Sequence, residues 1–173
     1  MKSINIREWF TRKRTIKAAY PDPPVVLPNF TAVAVKFDEG KLIDIAVQHV
    51  DNLFSNPKKT YWVEVTEENK KRVMDDLNNR IVVGYDIAPL TELLAREFGE
   101  ALNIKTIDIK DLSEVLCPYM EDKSFERLAE RFACINPMFD LRTLWDECQT
   151  ICALVRAIKN RPQVKRAINL AVS

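Results

Sequence analysis

The chain has 173 residues, 47% of them apolar and 29% charged, with 26 basic side chains against 25 acidic. That length and apolar content suit one domain with a real core and exclude a disordered polymer. No apolar run approaches the roughly 18–20 residues that span a bilayer. The basic start MKSINIREWFTRKR also lacks the apolar stretch of a secretory signal, so the expected setting is cytoplasmic, without a membrane partner.

The near-zero net charge conceals a segregation. Residues 1–20 carry six basic side chains and one acidic, while Arg156, Lys159, Arg161, Lys165 and Arg166 follow Cys148 without any acid. The body between these ends is left at about −9. Basic ends on an acidic body fit contacts with a polyanion or an acidic partner, or two plainly solvated helix faces.

In chain order, residues 3–19 place Ile4, Ile6, Trp9, Phe10 and Ile16 at near-helical spacing among cations. Pro21, Pro23, Pro24 and Pro28 then stop any helix, because proline has a fixed φ and no N–H to donate. Residues 1–28 are expected to form a basic arm and stiff linker, 29–162 a domain, and 163–173 a basic helical tail. Trp9, Arg12, Lys13 and Arg14 combine a stacking ring with cations that neutralise phosphates, which makes them candidate nucleic-acid contacts. The same helix can equally dock on a protein partner or on the domain itself.

From residue 30 the apolar period shortens to that of strands. Segments 30–37 and 41–50 read as strands joined at the turn Asp38-Glu39-Gly40, and 60–65 as a third strand after Asn56-Pro57. A helix over 66–78 follows, capped by Thr66 and Asn69, with Val73, Met74 and Leu77 in its periodic set. Segment 81–84 is short and wholly apolar, as buried strands are. A helix over 88–102 carries Leu90, Leu93, Leu94, Phe98 and Leu102 on one stripe, and 104–109 is another strand. Helices over 111–117, 124–134, 140–160 and 162–171 complete the chain, punctuated by Pro118, Pro137 and Pro162. The order β-β-β-α-β-α-β-α-α-α predicts an α/β domain with a mixed five-stranded sheet flanked by helices. Cys117, Cys134, Cys148 and Cys152 form no C-x-x-C pair, and the one histidine, His49, lies in a different kind of segment. Buried thiols are therefore expected rather than a zinc site.

Five segments add a further pattern: Lys41-Leu-Ile-Asp-Ile-Ala-Val47, Val82-Val-Gly-Tyr-Asp-Ile87, Thr106-Ile-Asp-Ile109, Ser124-Phe-Glu-Arg-Leu-Ala-Glu-Arg-Phe132 and Leu141-Arg-Thr-Leu-Trp-Asp-Glu-Cys-Gln-Thr150. In this order they resemble the DnaQ-like DEDD 3′–5′ exonuclease family of the RNase H-like folds. They are similar to its strand after the first motif, its "VGHN" turn, its "IDT" strand end, its "SLxxLAxxF" helix and its "HxAxxDAxxT" helix. The resemblance implies an RNase H-like sheet, with an antiparallel first three strands and parallel strands after them.

It also implies phosphodiester hydrolysis by two Mg²⁺ or Mn²⁺ ions about 4 Å apart, held by four carboxylates. Carried over residue by residue, the Asp-x-Glu of the first motif falls on Lys36 and Asp38. The second-motif aspartate falls on Leu90, and the third is kept as Asp146. The family's histidine or tyrosine before that aspartate is replaced by Leu141 or Arg142. A cation and an isobutyl group at ligand positions imply a degenerate site that takes no cofactor. Its role would be binding nucleic acid or docking with a nucleic-acid-processing assembly. Two alternatives stay open. One is an active Mg²⁺- or Mn²⁺-dependent 3′–5′ exonuclease using Asp38, Asp146 and at least one of Asp86 or Glu147, with Glu39 near the matched motifs and Asp108 expected in a structural role at its strand end. The other is a structural or assembly protein, including a homo-oligomer, that inherited the fold. Asp86 is expected to cap the helix that follows it, and Lys36 to pair with Asp38 and Asp146 in place of a metal's charge.

Overall fold

Alternate residues of β1 (Phe30–Asp38) point to opposite faces of a sheet, and its first five residues are all buried, so this strand has to be covered on both sides. The computed structural model describes residues 29–50, 59–98, 103–133 and 135–172. The arm with Trp9, Arg12, Lys13 and Arg14, the proline linker and Cys134 lie outside the described residues. After β1 come β2 (Lys41–Val50), β3 (Lys59–Glu64), α1 (Glu67–Leu77), β4 (Ile81–Gly84), α2 (Ala88–Phe98) and β5 (Lys105–Asp108). Helix α3 (Ile109–Leu116) follows, then α4 (Phe125–Leu128), which runs into a π-helical turn at Ala129–Ala133. The chain ends in α5 (Pro137–Asp140), α6 (Leu144–Ile158) and α7 (Pro162–Val172).

The sheet order is β3-β2-β1-β4-β5. β1, β2 and β3 pair antiparallel, while β1 with β4 and β4 with β5 pair parallel. This is the mixed five-stranded sheet expected from the element order. The β1–β2 hairpin closes on Glu39 (φ 46°) and Gly40 (φ 76°). Two consecutive positive φ values match the twist of the flanking strands, and glycine takes the second without a steric penalty. At the other critical point, a Cβ built on Gly84 would lie 2.3 Å from Ile87 Cγ2 and 3.0 Å from the Val33 carbonyl oxygen. Only glycine lets the end of β4 come so close to β1.

The two faces of the sheet carry separate cores. Phe30, Ala32 and Ala34 face Cys148, Ile151 and Val155 of α6, together with Val164 and Ile168 of α7. Val33, Ile45, Val47 and Val82 face Val73 and Leu77 of α1 and Leu90 and Leu94 of α2. Val164 and Ile168 are buried, so α7 is part of the domain's core. Cys148 and Cys152 are free, buried thiols, and Cys148 Sγ donates to the Ala32 carbonyl at 3.3 Å. Burial pushes both thiols up, Cys152 to about 12.

Local chemistry accounts for most boundaries. Thr66 N donates to Asn69 Oδ1 at 2.9 Å, the cap expected at the start of α1. The single helix expected over 140–160 is in fact two. Thr143 Oγ1 accepts from Asp146 N at 3.2 Å while Thr143 N donates to the Asp146 carboxylate at 3.0 Å. That reciprocal cap starts a new helix at Leu144 and separates it from α5. The helix expected over 124–134 becomes α4 and the π turn.

Candidate functional site

β1 and β4 are parallel, so their C-terminal ends lie at the same edge of the sheet, and α2 begins just beyond β4. α6 packs across β1 with its first turns at this edge. Between them opens a cleft of about 300 Å³. Its floor is Ala34 of β1 with Ile151 of α6, its walls include Tyr85, Ile87 and Phe125, and its carboxylates are Glu126 and Glu147.

Two fastenings give the cleft its shape. The Tyr85 ring packs against Phe125 with centroids 5.3 Å apart, and Tyr85 OH donates to the Lys123 carbonyl at 2.8 Å. The segment before α4 is thereby tied to the end of β4, and burial pushes the Tyr85 phenol up. The second fastening is Asp108, at the end of β5. Its carboxylate accepts from Asp86 N, Ile87 N and Lys110 N, each at 2.9 Å. One side chain thus caps α3 and also holds the turn that leads into α2. Asp86 was expected to cap that helix and does not. It sits at φ 53° and turns its carboxylate outward to Lys110 Nζ at 3.0 Å. The main chain there is already held by Asp108, which sequence spacing alone cannot reveal.

Of the residues carried over from the family pattern, Lys36 and Arg142 border a common hollow, whereas Asp38, Leu90, Leu141 and Asp146 line neither it nor the cleft. Lys36 and Asp38 are exposed at the end of β1, opposite Asp44 and Lys41 of β2. Leu90 is 1% exposed within the core under α2. Leu141 is half-buried against the α6 side of the core, and Arg142 is exposed. Asp146 is turned back into its own helix cap: Oδ2 accepts from Arg142 N at 3.2 Å, Thr143 N at 3.0 Å and Thr143 Oγ1 at 2.8 Å. The Thr143 hydroxyl, then the two backbone donors, hold this carboxyl below the usual carboxylate range. Among the described residues Lys36 forms no ion pair with Asp38 or Asp146, so the expected charge replacement is not made.

Glu147, the next residue, is the one that lines the cleft. It is half-buried, and burial first, then the charges of Glu126 and Asp146, raise its pKa. The signal was present in the sequence as a carboxylate one turn before Ile151 on the buried stripe of α6. Glu147 also borders a second hollow of about 360 Å³, where Lys36, Asp44, Arg142 and the half-exposed Trp62 meet.

A pair of hard divalent cations needs several convergent anionic oxygens. The cleft brings Glu126 and Glu147, while Ala34, Ile87 and Ile151 offer none. Among the described residues no three His, Cys, Asp or Glu side chains are grouped to hold an ion. The side chains do not fit a metal pair.

No protein-family model matches the sequence, and no curated protein matches it. Solved structures match in shape. NrnC of Brucella melitensis, bound to pGG, superposes with a TM-score of 0.57 at 10% identity, over 85% of this chain and 81% of that one. Exonuclease I of E. coli, in complex with a dT13 oligonucleotide, gives 0.59 at 10% identity, over 83% of this chain. The fold is that of the DnaQ-like exonucleases. The POL domain of Pol1 from M. smegmatis, with DNA primer-template and dNTP, also carries it, at TM-score 0.59 and 12% identity over 99% of this chain. The chain spans 28% of that polymerase structure and 42% of Exonuclease I. At such identities the likeness speaks for the exonuclease-like fold and leaves the chemistry to the residues in the cleft.

Proposed function

We propose that this chain is a catalytically degenerate exonuclease-like module that binds nucleic acid, or docks within an assembly that handles it, without hydrolysing it. The observation that carries this reading is the cleft itself. Apolar side chains line the sheet edge where the fold's nucleases gather carboxylates, and the one aspartate kept from the pattern, Asp146, is engaged in a helix cap. Loss of metal ligands removes both the activated water and the stabilisation of the leaving oxygen, each worth orders of magnitude in rate. The oligonucleotide-bound and primer-template-bound relatives support nucleic acid as the partner class.

An active enzyme remains the competing reading because Glu126 and Glu147 share one cleft. Incubating an end-labelled single strand with the full chain and Mg²⁺ or Mn²⁺ separates the two. The strand is expected to survive intact. Metal-dependent shortening that disappears in both Glu147→Ala and Glu126→Ala would reinstate the nuclease. Calorimetric titration with Mn²⁺ gives an independent check and is expected to show no tight site.

A further inference from the structure

Around the cleft end of the sheet, several cations are matched by carboxylates. Lys70 meets Glu67, Lys110 meets Asp86, Lys123 meets Glu114, and Arg127 meets Asp122 and Glu130. The corner where α6 passes into α7 is different. Arg156, Arg161 and Arg166 are exposed there and Lys165 is half-buried. None of these four forms an ion pair among the described residues. No acid occurs between Cys148 and Ser173 to neutralise them.

This corner is remote from the cleft. α6 runs antiparallel to β1: Glu147 stands beside Val35 and Lys36, and Cys148 bonds the carbonyl of Ala32 further back along the strand. From Glu147 to Ile158 the helix rises roughly 16 Å, which carries the chain to the opposite end of the sheet. The starts of β4 and β5 bring Arg80 and Lys105 to that same end, where Lys105 N donates to the Arg80 carbonyl.

Helix stability accounts for Arg156, in the last turn of α6, but not for the other three. Arg161 precedes α7, and Lys165 and Arg166 lie in its first turns, where the helix dipole disfavours cations. α1 and α6 instead begin on Glu67-Glu68 and Asp146-Glu147. Phosphates approaching the cleft meet the carboxylates of Glu126 and Glu147, with no grouped metal ligands among the described residues to offset them, which favours the far end for a polyanion. Guanidinium groups, three of the four side chains here, suit phosphate oxygens through paired N–H donors. A lipid surface would need apolar anchors around the cations, and on α7 Leu170 is the exposed large apolar side chain among the described residues.

We propose that the α6–α7 corner is a metal-independent surface for the phosphate backbone of nucleic acid, displaced from the cleft to the opposite end of the sheet. This rests on the nucleic-acid reading above and names the surface that carries it.

The test is an anisotropy titration of a labelled single-stranded oligonucleotide, DNA and RNA in turn, with the full chain in EDTA over a range of salt. The combined variant Arg156→Glu, Arg161→Glu, Lys165→Glu and Arg166→Glu is expected to bind at least about tenfold more weakly. Its log–log salt slope should be shallower by roughly 3, from about 0.7 per lost phosphate contact. Reversing Lys41, Lys70, Lys71 and Lys110 instead changes net charge equally and should leave binding nearly unchanged. A Gln set at the four corner positions should fall between wild type and the Glu set, and matching circular dichroism melts exclude unfolding as the cause. Equal losses from both Glu sets would reduce the effect to net charge and overturn the proposal. Unchanged binding in the corner variant would place the contact elsewhere while leaving nucleic acid as the partner. No binding by the wild type would remove the partner itself. Tighter corner-dependent binding of polyglutamate or anionic vesicles than of oligonucleotide would give the corner to another class of ligand.

Discussion

The two ends of α6 use charge in opposite ways. At the cleft end, charged side chains belong to the architecture: Asp146 closes the cap with Thr143, Asp108 gathers three backbone N–H groups, and Asp86 meets Lys110. At the α7 end, Arg156, Arg161, Lys165 and Arg166 form no ion pair among the described residues, and the first turn of α7 holds no acid. The three donors to Asp146 all fall on Oδ2, which ties this carboxylate to the start of its helix. A cation with no carboxylate near it is available to a ligand. The contrast is therefore between carboxylates tied into helix ends and turns and cations left without a carboxylate partner.

The largest effect should come from the floor of the cleft. Ile151 is 2% exposed and packed in the α6 core, so Ile151→Ala should cost about 2–5 kcal/mol in urea unfolding. A loss below about 1 kcal/mol would mean a plastic floor and would erase the contrast between the two ends. Next comes Asp108→Ala, which removes the acceptor of two exposed N–H groups and one part-buried one and should cost roughly 1–2 kcal/mol, with Asp108→Asn recovering part of it. Thr143→Ala should cost about 1 kcal/mol through the lost cap. It should also release the Asp146 carboxyl, which carbon-detected NMR titration would report as a rise toward its ordinary pKa.

The adjacent carboxylates should respond to pH with opposite signs. The folded pKa of Asp146 is depressed. Its contribution is therefore present above the unfolded value of about 3.9 and is lost as pH falls through the lower folded value. The folded pKa of Glu147 is raised, by burial first. Its ionisation costs stability as pH rises from about 4.3 through the higher folded value. Urea midpoints measured from acid to neutral pH should show the Asp146→Asn deficit shrinking toward acid and a Glu147→Gln gain growing toward neutral. Reversed trends would show that the two carboxylates had been given each other's roles. The smallest effect belongs to the corner. Arg161→Glu with Lys165→Glu should leave stability within about 0.5 kcal/mol or raise it by up to about 1 kcal/mol, because acids suit the start of a helix. A clear loss would show that these cations support the fold after all.

The alternation of Phe30-Thr-Ala-Val-Ala, the apolar Ile81-Val-Val-Gly84 and the stripes with Val73 and Leu77, or Leu90 and Leu94, by themselves determined the strands, helices and mixed sheet. These patterns are local, since the demand to bury one face acts on neighbouring residues. Lys36 and Leu90 were also legible as poor metal ligands, because side-chain chemistry needs no fold to be read. Only the tertiary structure decided which of the adjacent Asp146 and Glu147 enters the cleft. That choice depends on helix phase, roughly 100° per residue, which the Thr143 cap sets by starting α6 where it does. The exchange of capping roles between Asp86 and Asp108 was likewise settled in space, because the donor and acceptor lie 22 residues apart and meet only when β4 and β5 pair. The isolation of the α6–α7 cations has the same origin. A run of basic residues can be counted in the sequence, but whether carboxylates from elsewhere fold back onto it is decided by packing.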